Sequence, residues 1–125
     1  MLELDLPFPP SINHYYGGTR SGRRYISQAG KRYRQQVAAA FSSQGGTRQH
    51  GLLAFFGVGW PKDRRKRDLD NHFGKALLDA LQLAGAFDDD SQIVALSSRW
   101  EIEAGEIKRH PEGLIHIRIV QAGGT

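Results

Sequence analysis

The stretch RRKRDLDN, residues 64 to 71, sets four consecutive cations, Arg64, Arg65, Lys66 and Arg67, directly before Asp68, Asp70 and Asn71. In extended backbone, residues i and i+2 point to the same side, so the two carboxylates share one locality. Like charges that close raise each other's proton affinity and oppose folding unless a cation sits between them. A hard divalent ion such as Mg²⁺ removes that cost and is commonly held by one or two carboxylates with water and phosphate oxygens. The pair therefore reads as half of a metal site beside a basic run suited to a phosphate backbone. A later acidic run, Asp88, Asp89 and Asp90, stands where a helical stretch gives way to a strand-like one and could complete it. Plainer readings exist for each feature alone: Asp70 or Asn71 can cap a helix, worth about 1 kcal/mol, and the acidic run can be a solvated turn. Capping leaves Asp68 and the cations unexplained. A metal-dependent phosphodiesterase accounts for all three features, with basic residues on the phosphate and a carboxylate-held metal activating water.

The elements that must position these residues belong to a chain of 125 residues, the length of a single domain, 1–125. Hydrophobic residues make up 39% and charged residues 24%, an ordinary globular composition, and no apolar run approaches the roughly 20 residues that span a bilayer. The start, MLELDLPFPP, lacks a basic segment followed by an apolar one, so a cytoplasmic protein without membrane contact is expected. Absence of cysteine removes disulfides and thiolate metal sites, which favours hard cations over zinc. A net charge of +4 is too small to decide the partner, but its distribution is uneven. Arg20, Arg23, Arg24, Lys31, Arg32 and Arg34 form one cluster, and Lys62 with Arg64 to Arg67 another. Such clusters suit nucleic acid, or are two solvated faces.

Leu2, Leu4 and Leu6 alternate with Glu3 and Asp5, which predicts a half-buried strand ended by the prolines after it. Residues 11 to 22 show neither period and are expected to form a mobile surface loop. Tyr33, Val37, Ala40 and Phe41 mark an amphipathic helix over 31–43, and GLLAFFGVGW, residues 51 to 60, a central strand. A second helix over 71–83 is marked by Phe73, Leu77, Ala80 and Leu81, with Gly85 as its stop. Two strands come next, one over SQIVALSSRWEIEA, residues 91 to 104, beginning near Gln92, and one around Leu114 to Val120. The order β-α-β-α-β-β predicts an α+β domain, a mixed sheet of about four strands covered by two helices. If the strands on either side of the second helix are sheet neighbours, that helix is a crossover whose ends could bring the two acidic groups together.

LPFPPSINHYY, GRRYISQAGKRYRQQV, RRKRDLDN, LDAL and AGAFDDDSQIV, taken in this order, resemble the RusA family of Holliday junction resolvases over most of the chain. The resemblance implies a Mg²⁺-dependent endonuclease that nicks four-way DNA junctions as a homodimer. It implies Asp68, Asp70 and Asp90 as metal ligands; Asp90 is chosen over Asp89 because the matching acid lies two residues before the glutamine at Gln92. Lys75 and Arg67 are implied to contact phosphate or assist the reaction, and Arg64, Arg65, Lys66, Asn71, Arg23 and Arg24 to hold DNA. One departure stands out. The family's lysine falls four residues after the second aspartate, whereas Lys75 falls five after Asp70. One extra residue rotates the remainder of a helix by about 100°, unless Gly74 absorbs it in a loosened turn. If it does not, a junction-binding protein with weakened catalysis results; a nuclease for other branched DNA or RNA is a third possibility. Tyr15 and Tyr16 are expected to pack under the proline-rich loop rather than stack on bases, and Trp60 and Trp100 to lie in the core or a dimer interface. His72 could shuttle protons, a weak indication for one histidine of five, and His116 belongs to a strand.

Overall fold

The computed structural model describes residues 1–18 and 21–123, so Arg20 of the first basic cluster lies outside the described residues. Strand β1 (Leu2–Leu6) buries its three leucines and exposes Glu3 and Asp5, as its alternation dictates. It pairs antiparallel with the last long strand of the chain, which also pairs antiparallel with the strand formed by Leu53–Trp60. Numbered along the chain, the main sheet has the order β1-β8-β4-β5, with β4 (Leu53–Trp60), β5 (Ile93–Trp100) and β8 (Leu114–Gln121). β4 and β5 are parallel, which makes the sheet mixed and the fold α+β as expected. Two long helices, α2 (Gln28–Ser43) and α4 (Lys75–Ala84), lie against each other over one sheet face. The core is the contact between that face and those helices: Leu4, Leu6, Phe55, Ile115, Ile117 and Ile119 from strands meet Tyr33, Val37, Leu77 and Leu81. No helix of the described residues is long and apolar enough to cross a membrane.

Three local expectations are corrected. The segment after Pro10 is ordered rather than a free loop: α1 (Ile12–Tyr15) leads into β2 (Tyr16–Gly18), which pairs with β3 (Arg24–Ile26). Tyr15 supplies the anchor. It is fully buried, its hydroxyl donates to Asp79 on α4, and Arg34 on α2 reaches both the Tyr15 oxygen at 2.7 Å and the Asp79 carboxylate at 2.7 Å. Burial, then the bond to Asp79, drives the Tyr15 hydroxyl pKa far up, so it stays protonated as the donor. Helix α2 begins at Gln28, before Lys31, because the Ser27 hydroxyl caps it by accepting from the Gly30 amide at 3.0 Å. The strand near Gln92 ends at Trp100, and a separate ribbon comes after it, β6 (Ile102–Glu103) with β7 (Glu106–Ile107). Its turn at Ala104 and Gly105 has φ of 53° and 78°, which AG accommodates and a continuous strand would not.

The second predicted helix is in fact two. A five-residue helix α3 (Leu69–Phe73) stops at Gly74, whose φ of −102° and ψ of −125° break the helix before α4 starts at Lys75. A Cβ on Gly74 would stand 2.6 Å from the Asp70 carbonyl oxygen, so the break is open only to glycine. Gly85, at φ 103°, ends α4 as expected. Together α3 and α4 form the crossover that parallel β4 and β5 require. Phe73 fixes the first part of it. Gly57 and Gly59 leave bare backbone on β4, and the fully buried Phe73 ring lies in that space, where a Cβ on Gly57 would come within 2.6 Å of it.

Gly→Ala in a strand or helix is normally neutral or stabilising. Here Gly57→Ala is expected to cost about 1–3 kcal/mol by overpacking against Phe73, read from urea unfolding. Gly74→Ala should lose stability in the same range through its contact with a backbone oxygen, which cannot rotate away. A gain in stability for either variant would show that these close approaches are not rigid.

Candidate active site

β4 hands over to a loop, residues 61–68, that opens into a cleft of about 1170 Å³. Seven cationic and four acidic side chains line it, among them Arg64 to Arg67, Asp68 and, as a polar neighbour, Asn71. Phe8, Pro9, Pro10, His72 and Trp100 give it an aromatic and proline floor. Phe8 and Trp100 are stacked at 5.8 Å, and His72 packs on Phe8 at 4.9 Å. Asp68 stands at the N-cap position of α3 in extended backbone without a side-chain capping bond, and the Asn71 carboxamide donates to its carboxylate at 3.5 Å. Asp70 and Asn71 lie inside α3, Asp70 exposed, so neither caps it, and the Asp68 carboxylate at the N-cap position is not spent on the helix amides.

The four cations of the run are not equivalent. Arg67 has only 12% of its side chain exposed: its guanidinium donates to the Asp63 carboxylate at 2.7 Å and to the carbonyls of Asp63 and Arg65, and lies 5.6 Å above the Phe8 ring. It clamps the loop with most of its donors spent inside the protein. The amide of Arg65, first, and the Arg67 guanidinium hold the Asp63 carboxyl below its ordinary pKa, which keeps the clamp charged. Arg65 also pairs with Asp63, at 3.6 Å. Among the described residues Arg64 and Lys66 make no ion pair, so they are the cations of the run left to meet an anion.

The acidic run is sorted the same way. Asp88 pairs with Arg48, and Asp89 accepts from the amide and hydroxyl of Ser91, starting a 3₁₀ turn over Asp90–Gln92. Those bonds from Ser91 hold the Asp89 carboxyl below its usual range. The Gln92 side chain ties the run down, accepting from the amides of Asp88 and Asp89 at 2.8 and 3.0 Å and donating to the Gly51 carbonyl. Asp90 is left directed at α4: its amide donates to the Gln82 side chain at 3.0 Å and its carboxylate stands 3.5 Å from the Lys75 ammonium. The break at Gly74 thus brings Lys75 to Asp90 despite the extra residue in the spacing.

The crossover carries both acidic groups as the sequence suggested, but gathers them loosely. Among the described residues no three His, Cys, Asp or Glu side chains stand close enough to share one metal ion. The donors themselves suit a hard divalent cation: Asp68 and Asp70 are exposed carboxylates and Asp90 a partly exposed one, Asp68 lines the cleft with Arg64 and Lys66, and the chain has no thiolate. Arg23 and Arg24 stay outside the cleft on the β2–β3 hairpin, where Arg24 lies 4.4 Å over the Tyr16 ring. Arg32 of α2 and Arg109 of the loop after β7 take their place in the wall. Arg109 was legible only as part of the basic triplet KRH between two strands.

His72 is an anchor rather than an exposed proton carrier. It is buried, and because the Pro9 carbonyl 3.1 Å from Nδ1 can only accept, that nitrogen carries the proton. Burial, above all, lowers its pKa and keeps the ring neutral. Trp100 packs on Phe8 and Phe73 at the edge of the core, Tyr15 lies under the proline-rich segment, and His116 sits in β8 beside Asp5 at 2.8 Å.

This geometry coincides with a match across nearly the whole chain. The family model described as Endodeoxyribonuclease RusA matches residues 7–119. The crossover junction endodeoxyribonuclease RusA of Enterobacteria phage 82 is 40% identical over 100 residues, covering 73% of this chain and 75% of that protein. The proteins of the same name from Escherichia coli K12 and Shigella sonnei are each 38% identical over 100 residues, with the same coverage. The basic run, the paired aspartates and the acidic turn therefore lie within a matched segment that also holds β4, both crossover helices and β5, and the chain belongs to the RusA family of endodeoxyribonucleases.

Proposed function

We propose that this chain is a Mg²⁺-dependent endodeoxyribonuclease that resolves four-way DNA junctions by paired phosphodiester hydrolysis. The carrying observation is that Asp68 enters a cation-lined cleft, next to Asp70 and in a chain whose relatives are named crossover junction endodeoxyribonucleases. Asp68, Asp70 and Asp90, which the structure holds further apart than one shared ion requires, would hold the metal once drawn together around it, and the metal would supply an activated water and stabilise the charge of the departing oxygen. Arg64 and Lys66, without internal ion pairs, bind the phosphates on either side of the reacting one. Arg67 and Asp63 hold the loop that carries them in one shape. Asn71 orients the Asp68 carboxylate, and Lys75 pairs with Asp90 while presenting an ammonium beside the reacting phosphate.

Two nicks in opposed strands need two sites, and the two edges of the sheet support a homodimer. The outer edge of β1 is closed: the Gln44 carboxamide donates to the Asp5 carbonyl and accepts from its amide, both at 2.8 Å, and Glu3 and Asp5 add charge. The outer edge of β5 carries Val94 and Leu96, 54% and 47% exposed, and no charge before Arg99. An uncharged apolar edge is one that pairs with another strand. A second copy added there by two-fold symmetry would place an Asp90 near each end of the joined strands, matching the approximate symmetry of a junction.

Wild-type protein with Mg²⁺ should nick synthetic four-way junctions in preference to duplex, flap or RNA, and Asp70→Asn should reduce the rate at least about 10³-fold while retaining junction binding. Binding without any nicking by wild type would instead establish a junction-binding protein. Leu96→Lys is expected to convert the protein from dimer to monomer in sedimentation equilibrium; an unchanged mass would place the interface elsewhere.

A further inference from the structure

Tracking a phosphate backbone requires cations, not an apolar floor. The cleft beside Asp68 has both. Its walls bring Arg32, Arg64, Lys66 and Arg109 from three separate segments, while Phe8 and Trp100 form an apolar base. A further apolar wall comes from Ile107 on the β6–β7 ribbon, which remains 46% exposed. In an intact duplex the base faces are hidden in the stack, so such a floor would meet only sugar and phosphate. At a strand exchange the stack is interrupted, and an unpaired base can present its face to an aromatic or aliphatic surface. His72, largely buried in that floor, packs on Phe8 at 4.9 Å and is tied to the Pro9 carbonyl, which holds the aromatic base in place.

We infer that this cleft is a nucleobase subsite, receiving one or more unstacked nucleotides next to the scissile phosphate, with Trp100 and Ile107 against the base and the four cations along its backbone. This inference rests on the junction-nuclease reading and deepens it: selectivity for branched DNA would come from what a branch exposes, in addition to its shape. A volume of about 1170 Å³ exceeds a single drug-sized pocket, which leaves room for more than one nucleotide.

The chain has two tryptophans, so Trp60→Phe leaves Trp100 as the sole tryptophan reporter. In chelator-containing buffer, where hydrolysis is excluded, that protein is titrated with hexathymidylate and with an abasic hexamer of equal phosphate count. Quenching of Trp100 and an affinity for hexathymidylate at least about fivefold above that for the abasic hexamer are expected, the lower end of what one base stacked on a side chain contributes. Ile107→Ser, at an exposed position, should erase that preference while leaving abasic binding unchanged. Equal affinities for the two hexamers, or a preference untouched by Ile107→Ser, would overturn the subsite. Junction cleavage dependent on Asp70 alongside equal affinities would sink the subsite and leave the nuclease reading standing. Base preference without any cleavage by wild type would do the reverse.

Discussion

Phe73 packs on the part of β4 where Gly57 and Gly59 have no side chains, and the rest of the site depends on that contact. It fastens the short helix α3 to the sheet one turn beyond Asp70. Asp68 and Asn71 are thereby held at the mouth of the cleft, and His72 is pressed onto Phe8. Trp100, at the end of β5, closes the same aromatic group from the other strand of the parallel pair. Large rings packed on bare backbone tolerate little displacement, since interiors are close-packed and a shift of one group is felt by its neighbours.

A second constraint holds the helices. Tyr15, Arg34 and Asp79 come from α1, α2 and α4 and satisfy one another in a partly buried cluster. Each group would be costly to leave unpaired away from water, so the three segments are joined in one arrangement. This is why a segment without strand or helix periodicity is ordered: its order is set by one side chain buried among distant partners, which local pattern does not encode.

Charge at the site is divided between structure and function. Asp63 spends Arg67, Arg48 meets Asp88, and Ser91 occupies Asp89, so a run of four cations and a run of three acids yield only a few groups free of such ties. Among the described residues Arg64 and Lys66 remain of those runs, with Asp90 facing Lys75, and Asp70 beside them makes no ion pair. A mobile exposed charge costs little to keep and gains little from a surface pair. The groups that are tied down form the loop and the turn; the groups left over are those that can meet a ligand.

The sequence by itself determined the α+β class, the central strand, the helix stop at Gly85 and the order of basic run, paired acids and acidic turn, because hydrophobic period and turn chemistry are local properties. The choice of Asp90 within its run rests on the family resemblance; in the structure Gln92 bonds the amides of Asp88 and Asp89, and Asp90 is the acid of the run that faces Lys75. What only the tertiary structure decided was which charges are free, which helix is broken and how closely the carboxylates approach. The extra residue before Lys75 could not be judged from periodicity: its consequence depends on a carbonyl oxygen 2.6 Å from where a Gly74 Cβ would stand. Likewise Arg67 and Arg64 are the same residue type in the same run, and only the position of Asp63 and Phe8 in space makes one a clamp and leaves the other to solvent. Pairwise distances between residues far apart in the chain set those outcomes, and no local pattern contains them.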